Sequence, residues 1–481
     1  MGKVSTADAE KYGRAPLPQV RCGTENQDSP QCKGLQAPAK QDYFTELVRR
    51  QLLENPFYGI GKTREEREQV VYGGGLRVKT TLQPLAQLSA YQARDEVLPK
   101  VSGVTAALVS IEPGTGAVRA MLGGPGFDFY EHNIATEGLR QTGSSFKTFA
   151  LLTALEQGAV PSDFILGGGD FPCKGCPGNV YNMPGPGGTL TSVTTVSSNG
   201  AFVRLGLIDG LENIATMARK LGVTAPLEPP PLSLPLGTKE VTPLEMASAY
   251  SSIPNGGNYQ PWYVIESIED RYGHVVYQHR PTAQRQYSQQ TSCLATQILA
   301  ENVRSGTGRN ATLSKQPAAG KTGTTNDGAD TWFIGFTPYL TTAIWVGDIA
   351  PGPDGQPRRN PVRTIAGREN FGGQFPALLW GNFNERFHSS LPVVGFPECL
   401  PTRPGRFINS NWDYLLPADA PPTGFIPFPS LPGTPPPTTA RRASPAPPTS
   451  KPPSTDTTVK APPTTAGPPP TSAPPTTAAS P

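Results

Sequence analysis

The sequence predicts an α+β fold in which an antiparallel sheet is flanked by helices. Three features carry that expectation: a strand pair near residue 110, a second near residue 340, and a helix-rich stretch between them. Strands gathered at both ends of a domain, with helices between, pair antiparallel rather than through repeated crossovers.

Taken in order, residues 1–42 carry no regular pattern, although Cys22 and Cys32 are spaced to close a loop. From Tyr43 to Glu54, YFTELVRRQLLE places apolar side chains at helical spacing. GGGLRVKTTL (Gly73–Leu82) turns to strand-like alternation, and a second helical stretch runs from Pro84 to Val97. Residues 43–100 therefore read as a small linker module ahead of a main domain at 101–400. That domain opens with TAALVSI (Thr105–Ile111) and AVRAML (Ala117–Leu122), joined by the turn-forming Glu112-Pro113-Gly114-Thr115-Gly116. In the middle, Thr242-Pro243-Leu244-Glu245 sets Thr at an N-cap, Pro at the first helical position and Glu at the third, a capping box. TWFIGFT (Thr331–Thr337) and TTAIWVG (Thr341–Gly347) form the late hairpin across Pro338-Tyr339-Leu340.

The tail is of another kind. Residues 401–481 hold 24 of the 56 prolines, and from about Leu431 the chain is Pro/Thr/Ser/Ala with almost no large apolar side chain. Such a segment cannot bury enough surface to offset its ordering entropy, and it is expected to be disordered, as a linker or stalk. Setting 401–481 aside leaves about 400 residues, enough for one large core and a smaller appendage.

Charge and hydropathy exclude several classes. The net charge of +3 comes without a Lys/Arg run or basic-aromatic stripe, so nucleic acid is not an expected partner. No stretch reaches the ~18 apolar residues of a membrane span, and Met1 is followed by polar GKVSTADAEKYG rather than a signal peptide. Taken literally, that describes a cytoplasmic protein, a reading the motifs below oppose. The six cysteines (Cys22, Cys32, Cys173, Cys176, Cys293, Cys399) fit disulfides in an oxidising compartment without proving them. Cys173-Lys174-Gly175-Cys176 has the spacing of a zinc half-site or redox pair. It lies among Gly and Pro rather than at a helix start, and the four histidines are scattered singly. A local disulfide or free thiols is the favoured reading there, with a metal or redox role as its rival. Neither a bound metal nor a cofactor is expected.

Three short motifs bear chemistry: Ser144-Ser145-Phe146-Lys147, Ser197-Ser198-Asn199 and Lys321-Thr322-Gly323. Each is commonplace alone; each pattern occurs once in this chain, in this order. Ser144 precedes a run, SFKTFALLTALEQG, that is apolar nearly all round and so expected as a buried helix. A helix start favours developing negative charge, and Lys147 at i+3 shares a face with the serine. Lysine can deprotonate a serine only where desolvation or a nearby cation lowers its pKa from ~10.4. A lysine on an apolar helix is therefore a functional candidate. Ser197 and Asn199 end TLTSVTTVSSNGAFVRL, expected to be helical through its second half; they could relay a proton and hold an amide, or merely cap a helix. Lys321-Thr322-Gly323-Thr324 precedes the late hairpin and so lies on or beside an edge strand. Gly323 there leaves room for a substrate, and Lys321 with the threonines can hold a carboxylate.

The trio resembles the penicillin-recognising serine acyl-transferases and β-lactamases. GSSFKTFALLTAL, GTKEVTPLEMASAY, SIPNGGNYQP, GKTGTTNDGADTWFIGFTP and TTAIWVGD narrow the resemblance to the class A, bifunctional penicillin-binding proteins, over about Tyr43 to Pro397. The Pro/Thr tail is similar to actinobacterial, including mycobacterial, members. The resemblance implies a serine D,D-transpeptidase that cross-links peptidoglycan stem peptides and is acylated by β-lactams. It makes Ser144 the nucleophile, Lys147 its base, Ser197 the proton relay and Asn199 the holder of the acyl amide. Lys321 would act electrostatically, Thr322 and Thr324 would receive the terminal carboxylate, and the amides of Ser144 and Thr324 would form the oxyanion hole beside Gly323. Thr148 departs from the proline many relatives carry after the lysine. The resemblance further implies that residues 1–42 are a remnant of a preceding glycosyltransferase domain. The parent protein would be membrane-anchored with this domain outside, this chain being a soluble fragment; other cell-wall enzymes could meet its tail. A serine β-lactamase and a non-catalytic penicillin sensor are the rival readings. The lactamase needs a water-activating carboxylate, and the best candidate, Glu245, is already taken by its capping box.

Overall fold

The computed structural model describes residues 42–172, 180–351 and 359–409. Its centre is a five-stranded antiparallel sheet made of β1 (Val104–Glu112), β2 (Ala117–Leu122), β3 (Ala319–Thr324), β4 (Asp330–Phe336) and β5 (Thr341–Asp348), in the spatial order β3-β4-β5-β1-β2. Both hairpins read from the sequence are present, and the late one zips into the early one through β5 and β1. The strands read as nearly unbroken apolar runs because both faces of the sheet are covered. Side chains of one strand alternate between two cores: Trp332, Ile334 and Phe336 of β4 join one, and Phe333 the other. In β5, Ala343 and Trp345 face the first core, and Ile344 and Val346 the second.

The helices α1 (Lys147–Glu156), α2 (Asn199–Asp209), α3 (Pro243–Ser251), α4 (Gln289–Ser305) and α5 (Phe375–Phe387) form the covering layers. Helices α1, α2 and α3 supply Phe149, Leu151, Phe202, Leu205 and Tyr250 to the first core. Trp380, Phe383 and Phe387 of α5 fill the second, together with Ala86, Ala90 and Ala93 from the helix Pro84–Val97. Those three alanines recur at helical spacing on one face, which lets α5 approach closely. Helix α1 is apolar all round, and every residue from Lys147 to Leu155 is buried, as its sequence predicts. The capping box of α3 is formed as read: Thr242 Oγ1 accepts from the Glu245 amide at 3.2 Å, and Glu245 Oε2 accepts from the Thr242 amide at 2.9 Å.

Within residues 43–100, the helix Tyr43–Glu54 packs on the first core, and the strand Arg77–Thr80 pairs antiparallel with Ile265–Glu269. At the other end the chain is strapped back onto the body. Cys293 of α4 is disulfide-bonded to Cys399 across 106 residues. The Arg403 guanidinium donates to both oxygens of buried Asp163 at 2.7 Å, and the strand Phe407–Ile408 runs parallel to Phe164–Ile165. Cys22, Cys32, Cys173, Cys176 and the Pro/Thr-rich region from residue 410 onward lie outside the described residues.

Candidate active site

Ser144 sits in a single 3-10 turn, Gly143–Phe146, that runs directly into α1, so it stands one turn ahead of the α-helix proper. The preceding residue has to be glycine for two reasons. Its φ is +54°, and a Cβ there would lie 2.7 Å from the carbonyl oxygen of Thr324 on β3. Gly323 meets the turn from the opposite side, where a Cβ would fall 2.2 Å from the Thr142 carbonyl oxygen. The two glycines let the Ser144 turn and the edge strand touch backbone to backbone. Ser145 is turned inward, its hydroxyl donating to the Thr142 carbonyl at 2.8 Å, while Ser144 remains partly exposed. The Tyr250 hydroxyl, from α3, braces this helix start at Thr148 Oγ1, 2.7 Å away; the departure at Thr148 thus supplies a side-chain contact between α1 and α3.

The second half of TLTSVTTVSSNGAFVRL is helical as expected, from Asn199 onward in α2, and a separate short helix, Leu190–Thr195, ends before it. Ser197 lies in the break with φ +58°, in the left-handed region that a non-glycine residue rarely adopts. Ser198, not Ser197 or Asn199, is the cap, accepting from the Ala201 amide at 3.4 Å and donating to the Pro186 carbonyl at 2.7 Å. That frees Ser197 and Asn199 to face α1. The Lys147 ammonium donates to the Ser197 carbonyl at 2.7 Å, to Ser197 Oγ at 3.2 Å and to Asn199 Oδ1 at 2.7 Å.

Lys321 comes in from β3, which forms the edge of the sheet as expected. Its Nζ donates to the same Ser197 hydroxyl at 2.8 Å and to Thr322 Oγ1 at 3.4 Å. Thr324, at the exposed end of β3, accepts from the Gly372 amide at 3.0 Å. Three stretches far apart in the chain thus converge on one hydroxyl. Both lysines are fully buried. Burial, and secondarily the charge of Lys321, holds Lys147 well below the usual lysine range; burial pushes Lys321 down to about 7. Among the described residues Ser144 Oγ has no side-chain bond to Lys147, whose Nζ points at Ser197 and Asn199. Glu245 is fully engaged: besides its capping box, Oε1 accepts from the Thr224 amide at 2.8 Å and hydroxyl at 2.6 Å. No group of three or more His, Cys, Asp or Glu side chains suited to a metal occurs among the described residues.

Sequence reasoning missed one part of the site. Asn302 and Thr307, at the end of α4, bond to the β3 strand and to Thr322. The signal was the Ser305-Gly306-Thr307-Gly308 turn, whose glycines mark a chain passing close behind β3.

Residues 106–365 match the family described as penicillin binding protein transpeptidase domain, which covers more than half the chain. The chain belongs to the penicillin-binding protein transpeptidase family. It is 35% identical over 323 residues to penicillin-binding protein 1A of Neisseria lactamica, an alignment covering 64% of this chain and 38% of that protein. It is 33% identical over 290 residues to penicillin-binding protein 1B of Vibrio cholerae, covering 57% of this chain and 37% of that protein. The chain therefore spans under two-fifths of the length of these relatives. Among solved structures, the penicillin-binding protein PonA1 from Mycobacterium tuberculosis superposes with a TM-score of 0.66 at 25% identity, covering 81% of this chain and all of that one. PonA1 in complex with penicillin V gives 0.61 at 27% identity, covering 74% and 96%. The α+β arrangement, with its antiparallel sheet between helices, is the fold of that family. No helix among the described residues is long and apolar enough to cross a membrane.

Proposed function

We propose that this transpeptidase domain acts through a serine acyl-enzyme on Ser144, cross-linking peptidoglycan stem peptides and being acylated by β-lactams. The observation that carries the reading is the convergence on Ser197 Oγ of two buried lysines from separate elements, Lys147 at 3.2 Å and Lys321 at 2.8 Å. Two buried amines with no paired carboxylate cost stability, and such an arrangement is what a proton-transfer site for an anionic ligand requires.

In the proposed reaction, Ser144 Oγ attacks the carbonyl carbon of the penultimate D-Ala. Lys147, whose proton affinity its burial lowers, takes the serine proton. The amide C–N bond breaks, and Ser197, bonded to both lysines, passes the proton to the departing D-Ala amine. The amides of Ser144 and Thr324 hold the oxyanion, brought together by the close approach of Gly143 to Thr324. Asn199 positions the acyl amide; Lys321, Thr322 and Thr324 receive the terminal carboxylate. An acceptor amine then attacks the ester, forming the cross-link and returning the proton to Ser144. The lactamase alternative is disfavoured because both oxygens of Glu245 are occupied by the protein. We place this domain on the outer side of the cell membrane, a placement supported by the Cys293–Cys399 disulfide.

The test is incubation with a D-Ala-D-Ala-terminated donor peptide and an amine acceptor. A product of mass donor plus acceptor minus one D-Ala is expected, and none from Ser144→Ala. Release of D-Ala with only hydrolysed donor would mean a carboxypeptidase rather than a transpeptidase.

A further inference from the structure

Behind Thr322 runs a chain of hydrogen bonds whose direction can be assigned without reference to any ligand. Asn302 is fully buried on α4, and its amide orientation is fixed by two backbone groups. Its Nδ2 donates to the Gly320 carbonyl at 2.8 Å, and its Oδ1 accepts from the Thr307 amide at 3.1 Å. Oδ1 carries no hydrogen. The Thr307 hydroxyl, 3.0 Å from that same oxygen, must therefore donate to it. Thr307 Oγ1 and Thr322 Oγ1 are 2.7 Å apart, and with the Thr307 proton committed to Asn302, the bond between them uses the proton of Thr322. Lys321 Nζ, 3.4 Å away, donates to Thr322 Oγ1, which fits Thr322 as the acceptor of that bond. The direction is thus Lys321 to Thr322 to Thr307 to Asn302.

The two threonines proposed to receive a carboxylate are consequently unlike. Thr324 Oγ1 accepts from the Gly372 amide, which leaves its own proton available to a ligand. Thr322, 5% exposed, has its only proton turned away from the pocket. A carboxylate is acceptor-only, so Thr322 can bond it only by rotating that proton off Thr307.

We propose that Thr307 is a positioning residue that weakens capture of carboxylate ligands by holding the Thr322 proton. Entry of the ligand carboxylate exchanges the Thr322–Thr307 bond for a Thr322–carboxylate bond, and the net gain is the difference between the two. Removing the acceptor at 307 removes the competition. Asn302 remains satisfied by the Thr307 backbone amide, which no substitution except proline alters. The inference rests on the proposed role of Thr322 and is separable from it.

The experiment measures the capture constant and the acylation rate constant separately for a penicillin, using stopped-flow on the full chain. Thr307→Val and Thr307→Ala should both capture the penicillin about threefold to tenfold more tightly, the value of one neutral hydrogen bond, with the acylation rate constant unchanged. Thr307→Ser, which keeps the acceptor, should behave as the native protein. Damage to the fold would not tighten capture. Unchanged or weaker capture in the Val and Ala variants overturns the proposal. Thr322→Val serves as the control: it should weaken capture and abolish the effect of Thr307→Val. Normal capture by Thr322→Val alone would instead overturn the carboxylate role of Thr322.

Discussion

Lys147 and Lys321 donate to a single hydroxyl, that of Ser197, at 3.2 and 2.8 Å. Neither ammonium has a carboxylate partner among its bonds. Burial, and secondarily the charge of Lys321, holds Lys147 well below the usual lysine range, the property the proposed base requires. Ser197 is presented to both because the chain breaks between two helices there, at φ +58°.

Substituting Lys147→Ala is expected to leave a folded protein and to slow acylation by penicillin about 100- to 10,000-fold, the usual cost of losing a general base. Lys321→Ala should act mainly on ligand capture. Acylation rate constants and capture constants for the two variants check the distinction. Normal acylation in Lys147→Ala would move the base role to Ser197.

The buried lysines also impose a pH dependence on stability. Lys321 in the fold titrates at about 7, whereas unfolded lysine titrates near ~10.4. Between those values the unfolded chain holds the extra proton, so stability rises as pH rises and levels off only above the unfolded value. Urea midpoints between pH 7.5 and 9.5 should therefore show a smaller rise in Lys321→Met than in the native protein, by the slope of about one proton, ~1.4 kcal/mol per pH unit. An identical slope would mean that Lys321 is charged in the folded state.

Gly143→Ala is expected to fold and to lose most acylation. A methyl group at φ +54° is strained, and it would sit 2.7 Å from the Thr324 carbonyl oxygen, separating the serine turn from β3 and opening the oxyanion site. Thermal unfolding and penicillin acylation measured side by side should show a modest loss in the first and a large one in the second.

The strap at the end of the described chain should carry stability rather than chemistry. Cys293→Ser closes no loop in the unfolded chain and is expected to cost about 2–4 kcal/mol. Arg403→Ala should add to that by leaving Asp163 buried without its charged partner. Denaturant unfolding of the single and double variants measures both, and acylation at low temperature should stay near native.

Much of this protein was legible before its structure. Apolar runs at Thr105–Ile111 and Thr341–Gly347 mark strands buried on both faces, and Thr242 with Glu245 marks a helix start, because each signal is local. Lys147 stood out because a charge in an apolar helical run is costly, and Lys321 because its Lys-Thr-Gly motif stands just ahead of the late hairpin. The helix start after Ser197 was partly legible, since Ser-Ser-Asn-Gly signals a cap or turn, but that Ser198 is the cap and that Ser197 turns at a positive φ were not. Thr307 was marked only by its flanking glycines, and its meaning comes from Asn302 and Thr322, which only the packing of α4 behind β3 brings to it.

The most direct test of the account is the intact mass of the protein over hours after mixing with penicillin, with the modified peptide mapped. Acylation needs a nucleophile, a base and an oxyanion site; deacylation by water needs a further positioned carboxylate, and Glu245 is bound on both oxygens. A near-stoichiometric adduct on Ser144 that persists for hours, and none in Ser144→Ala, is the predicted result. An adduct on another residue, or its rapid loss with catalytic release of penicilloate, would contradict it.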